Sequence, residues 1–205
     1  AMPHDRTRFY GSYWYRYQYP AGGTGQTKLF QLWGNLPNPT LDYDPGVMSG
    51  GFSGGRFASY FVSDGGRTPG DQDNWAGGAP AMNVWHHFEL ILQQSGAGVA
   101  NGSVLLKNDG TVIYERSNVA TRAGADQFWN ELLFFYGFTN FGAGQFVEHY
   151  VDDPYLAASW ARVELGNAST FSASTQREIQ IPSSWSQGSI QFTLNHGAFA
   201  AGTQA

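Results

Sequence analysis

Lys28 lies in one segment of extended character and Arg56 and Tyr60 in another, and their side chains are of types that hold an anion and move a proton. Abstraction of a proton beside a carboxylate, with loss of an oxygen leaving group, needs a cation to neutralise the carboxylate, a base for the proton and an acid for the leaving oxygen. A lysine, an arginine and a phenol supply those types. Tyr13, Tyr15, Tyr17 and Tyr19 alternate along one further segment and offer more phenols, each wanting a hydrogen-bond partner if buried. Four on one face fit a half-wet surface on which sugar rings stack, so Tyr13, Tyr15 and Tyr17 are read as substrate-binding. Trp33 at a strand end and Trp75 in a long loop are read the same way, whereas Trp14, Trp85 and Trp129 are expected in the core.

Other chemistries find less support. Glycoside hydrolysis needs two carboxyl groups about 5 to 10 Å apart. Asp42/Asp44 and Asp71/Asp73 alternate, but among turn residues, and the adjacent Asp152 and Asp153 face opposite sides of a strand. His86 and His87 are neighbours on a strand, so one points in and one out, and this pair alone makes no zinc site. His87 is kept as a candidate substrate contact. Asp71, Asp73 and Asn74 resemble an oxygen-ligand loop and are candidates for a structural calcium, without the glycine and closing glutamate of an EF-hand. No cofactor is required by any reading.

These residues must be positioned by strands. A chain of 205 residues with 41% hydrophobic content buries a large core in one domain. Its 27 glycines and its 7 Trp, 11 Tyr and 15 Phe, with only 13% charged residues, suit strands joined by tight turns. The net charge of −5 gives no general reason to bind nucleic acid or an anionic membrane surface. No run approaches the roughly 18 apolar residues of a spanning helix. The absence of cysteine excludes disulfides and thiolate sites and says little about compartment.

Along the chain, residues 10–19 alternate with period 2, residues 20–25 supply a turn, and residues 28–33 read as the next strand. Residues 50–62 read as a third extended region with a bulge at Gly54-Gly55, and residues 63–82 as a long loop of the kind that carries function. Residues 85–93 form a strand, and Asp109-Gly110 between apolar runs at 103–107 and 111–115 marks a hairpin. Residues 132–138, 148–156, 159–166, 177–181 and 189–194 complete about ten strands, with Pro154 marking an edge or a strand end. That spacing, with no helices between, predicts an all-β antiparallel sandwich.

The succession YWYRYQY, KLFQLWG, GFSGGRF, VWHHFEL, NGSVLLKNDGTVIYER, LLFFYGF and YVDDPYL resembles the concanavalin A-like jelly-roll superfamily, closest to its alginate- and glucuronan-type polysaccharide lyases. The likeness covers roughly residues 8 to 160. It implies a jelly roll, taken over residues 1–165; the residues beyond Ser159 fall outside the likeness, and residues 166–205 are read as additional strands, packed on the same domain or opening a second module. It also implies that Lys28, Ser53 and Arg56 line a concave groove. The chain departs from those lyases in offering one tyrosine, Tyr60, where they carry a pair. Two functions follow as expectations. One is a carbohydrate-binding, lectin-like module whose partner is a polysaccharide outside the cell. The other is a polysaccharide lyase acting by β-elimination, with Lys28, Arg56 and Tyr60 as its catalytic groups.

Overall fold

The computed structural model describes residues 7–19, 26–34, 48–53, 56–61, 71–121, 129–134, 138–139 and 142–199, with side chains at 7–19, 28–31, 79–121, 132–134 and 142–199. The chain forms two units, Ala1–Ala158 and Ser159–Ala205. All regular structure among the described residues is strand, and no helix is long and apolar enough to cross a membrane.

In the first unit a five-stranded sheet has the order β11-β1-β6-β7-β8, from β1 (Arg8–Gln18), β6 (His86–Gln93), β7 (Gly102–Asn108), β8 (Thr111–Val119) and β11 (Glu148–Ala157). A six-stranded sheet has the order β10-β2-β3-β4-β5, with β9 also pairing β2. Its strands are β2 (Gln26–Gly34), β3 (Met48–Ser53), β4 (Arg56–Phe61), β5 (Asp71–Gly78), β9 (Trp129–Phe134) and β10 (Phe138–Thr139). Every pairing is antiparallel. The sheets meet face to face: Phe30 stacks on Phe88 with ring centroids 5.6 Å apart, and Tyr13 meets Phe134 edge-on at 4.6 Å. Phe9, Leu29, Leu90, Leu92, Val104 and Leu106 complete this buried layer. Each such side chain contributes about 1.5–3 kcal/mol by leaving water.

Local chemistry explains the joints. Asn108 pairs with Thr111 across a two-residue turn whose Asp109 and Gly110 both have positive φ, 51° and 74°. This primed turn matches the twist of the flanking strands. Pro154 sits in β11, an edge strand, where the pairing with β1 slips between Ser12 and Trp14 and Asp153 takes a φ of 46°. A proline lacks the N–H that an interior strand would need there.

Three expectations change. Residues 50–62 are a hairpin and not one bulged strand: Ser53 pairs with Arg56, while Gly54 and Gly55 lie outside the described residues. The segment 63–82 contains β5, so it is not wholly loop. The unit boundary falls after residue 158 rather than 165, because β12 (Val163–Gly166) pairs with β13 (Arg177–Gln180). In this second unit Arg177 Nε lies 3.1 Å from Glu164 Oε2, and β14 (Pro182–Trp185) pairs with β15 (Ile190–Phe192).

Candidate functional site: the Lys28 face of the six-stranded sheet

Lys28 reaches its face through a bulge. It pairs with Gly51, whereas Phe30, two residues on, pairs with Gly50. Residues i and i+2 of a regular strand share a face, but Gly51 and Gly50 are adjacent and alternate, so the extra residue Leu29 places Lys28 opposite to Phe30. Leu29 and Phe30 are fully buried and Lys28 is half-buried, as that reversal requires.

The rest of the face follows from register. Gly51 pairs with Ala58, Ser53 with Arg56, Ser49 with Tyr60 and with Gln31, Ala58 with Asn74 and Tyr60 with Gln72. Strand alternation therefore puts the register positions of Lys28, Ser53, Arg56 and Tyr60 on one common face, opposite to that of Phe30. Gly51 and Ala58 lie between Lys28 and the last strand and bring little bulk, which suits close approach by a ligand. Gln31, Ser49 and Gln72 share this face and were not identified from the sequence, and Asn74, read there as a calcium candidate, shares it too. Only the register, which the sequence does not display, brings them together. Gln31 is buried, and its Oε1 has no hydrogen-bond partner among the described residues.

Trp33 alternates with Gln31 and pairs with Glu131, so it falls on the same face. Trp75 lies where β5 slips against β4, between Asn74 and Gly78. Asp71, Asp73 and Asn74 stand on that strand and not on a loop, with Asp71 and Asp73 on one face and Asn74 on the other. Asp42 and Asp44 lie outside the described residues.

The tyrosine row is corrected. Tyr13, Tyr15 and Tyr17 are at most 4% exposed and form the centre of the core, with no ring face left for a sugar. Their hydroxyls donate to Leu29 O at 2.9 Å, Asn108 Oδ1 at 2.7 Å and Pro80 O at 2.6 Å. Acceptors inside the sandwich let three phenols be dry without loss. Burial pushes the Tyr13 and Tyr15 phenols up, and that of Tyr17 up to about 12, so none exchanges protons near neutral pH. His87 is also separated from Lys28. It stands on the outer face of the five-stranded sheet, its ring 4.9 Å from that of Trp14. Trp85, expected in the core, is 42% exposed.

Two outer faces on a two-sheet sandwich invite comparison with known folds. No family model and no curated protein matches the sequence. Solved structures do match. The endo-β-1,4-glucuronan lyase of the fungus Trichoderma reesei aligns over 78% of this chain and 72% of its own, with a TM-score of 0.59 and 15% identity. The chain has the jelly-roll fold of the polysaccharide lyases. A marine alginate lyase from Aplysia kurodai gives a TM-score of 0.56 at 13% identity, covering 76% of this chain and 71% of that one. The alginate lyase Aly36B gives 0.55 at 12%, covering 74% and 69%. In this jelly roll the five-stranded sheet closes the core from one side, and the six-stranded sheet carries the Lys28 face on the other.

Proposed function

We propose that the chain recognises an acidic polysaccharide on the Lys28 face of its jelly roll, as a carbohydrate-binding module acting outside the cell. The observation that carries this reading is the common face of Lys28, Ser53 and Arg56. Two cations and a line of neutral donors there suit a uronate polymer: the cations meet carboxylates while the donors meet hydroxyls. Solved lyases of the same fold act, by their names, on alginate and glucuronan, which supports the same class of partner.

One observation favours a second reading, cleavage by β-elimination. Tyr60 shares the face of Lys28 and Arg56, so a phenol is on the same side of the sheet as the cations that would hold the carboxylate. In that case Lys28 and Arg56 stabilise the developing enolate, and Tyr60 moves the proton.

The test is a screen of alginate, glucuronan, pectin and neutral glucans, following both retention by the protein and the ultraviolet absorbance of an unsaturated uronate. Retention of the acidic polymers without that absorbance supports the binding module. Its appearance supports the lyase. Retention of no acidic polymer contradicts both.

A further inference from the structure

Arg16 stands on the opposite outer surface of the sandwich. Along β1, Trp14, Arg16 and Gln18 alternate with the buried tyrosines, and register sets Tyr150 of β11 beside Arg16 and His87 of β6 beside Trp14. The guanidinium carbon lies 4.2 Å from the centroid of the Tyr150 ring and 5.7 Å from that of Trp85. These two rings are 37% and 42% exposed. On the same face of β1 the Trp14 ring lies 4.9 Å from that of His87, tilted by 34° to it.

Among the described residues this cation has rings but no ion-pair partner. Its Nε is buried and has no hydrogen-bond acceptor among the described residues, and no described carboxylate forms an ion pair with it. Two acids of β11 stand equally near in register: Glu148, opposite Gln18, is engaged by the amide of Gln18 and by the hydroxyl of Tyr150 at 3.0 Å, and Asp152, opposite Trp14, accepts from the Asp153 N–H at 2.9 Å. Ring faces hold a guanidinium in place without neutralising it, so its charge remains for an incoming anion.

We infer that the Arg16 face is a second saccharide site, which takes a uronate residue with its carboxylate on Arg16 and its pyranose ring against Trp85. A bare anion would use the guanidinium and leave the indole uncovered. A neutral sugar would use the indole and leave the charge unmet. A uronate has an apolar ring face and an anionic edge, and it satisfies both. The inference rests on the proposal that the partner is an acidic polysaccharide, and it adds a second point of attachment. Because the Lys28 and Arg16 faces are the two outer faces of one sandwich, a single molecule holds two separate chain segments.

Oligouronates too short to reach around the sandwich test this, titrated calorimetrically into wild type, Arg16→Gln, Trp85→Ala and Lys28→Ala, with neutral gluco-oligosaccharides of equal length alongside. The expected result is two sites per wild-type molecule. Arg16→Gln and Trp85→Ala each weaken one of them by about tenfold or more and leave the Lys28-dependent site unchanged. Trp85 is exposed, so its replacement leaves the core intact, and loss of ligand-induced fluorescence quenching in Trp85→Ala reports the indole directly. Unchanged stoichiometry and affinity in both variants would overturn the inference, as would equal affinity for the neutral oligomers. Binding that depends on Arg16 and is untouched by Lys28→Ala supports this site and counts against the Lys28 face.

Discussion

His86 places its Nδ1 2.7 Å from Asp109 Oδ2 and its Nε2 2.9 Å from the carbonyl oxygen of Ala81. Both neighbours are acceptors, so the protonated ring, with both nitrogens donating, satisfies both of them. The pair ties β6 to the turn between β7 and β8 and to the segment that enters β6. Asp109 is fixed further by the His87 N–H at 2.9 Å and the Asn108 amide at 2.9 Å.

Burial alone would lower the His86 pKa, but the hydrogen bonds to Asp109 and Ala81 and the charge of Asp109 outweigh it and raise the value above 6.5. Stability from this group is complete below about pH 6.5 and is lost as pH rises through the folded value. His149 runs the other way, since burial lowers it to about 4. The unfolded chain takes up its proton first, so stability falls as pH drops from 6.5 toward 4. Thermal unfolding followed across pH should therefore peak near 6.5. His86→Gln should flatten the alkaline limb and cost about 1–3 kcal/mol at the peak. An alkaline limb unchanged in His86→Gln would refute the assignment.

Tyr13→Phe and Tyr15→Phe leave the Leu29 carbonyl and the Asn108 amide oxygen without their donors. Each should destabilise the fold by about 1–3 kcal/mol in denaturant titration, the cost of a buried acceptor left unpaired. Affinity for any polysaccharide should stay at the wild-type value. A loss of affinity with stability unchanged would restore the tyrosines to a binding face.

Gly110 holds a φ of 74° in the hairpin turn. Gly110→Ala should cost about 1–2 kcal/mol, because a Cβ is disfavoured in that region, while the native circular dichroism is retained. No change in the unfolding midpoint would mean that the turn relaxes to another type.

What the sequence disclosed follows from the range of each signal. Asp109-Gly110 and the alternation of residues 10–19 are local, and both elements form where expected. Alternation separates two faces without saying which is covered. The phenols looked wet because each carries a polar group, and they are dry because Leu29, Asn108 and Pro80 supply acceptors from far along the chain. Strand β5 was hidden by its composition, DQDNWAGG, whose aspartates, asparagine and glycines read as turn and whose pairing with β4 alone makes it a strand. The bulge at Leu29, which sets the face of Lys28, leaves no local mark in Lys-Leu-Phe.

The central claim is that Lys28 and Arg56 hold a carboxylated polymer on one face. Alginate and a neutral glucan should be titrated at low and high salt against wild type, Lys28→Ala and Arg56→Ala. Alginate should bind wild type more weakly as salt rises, each variant should lose about tenfold or more in low salt together with part of that salt dependence, and the glucan should bind weakly throughout. Alginate affinity that ignores both salt and the two substitutions would contradict the account.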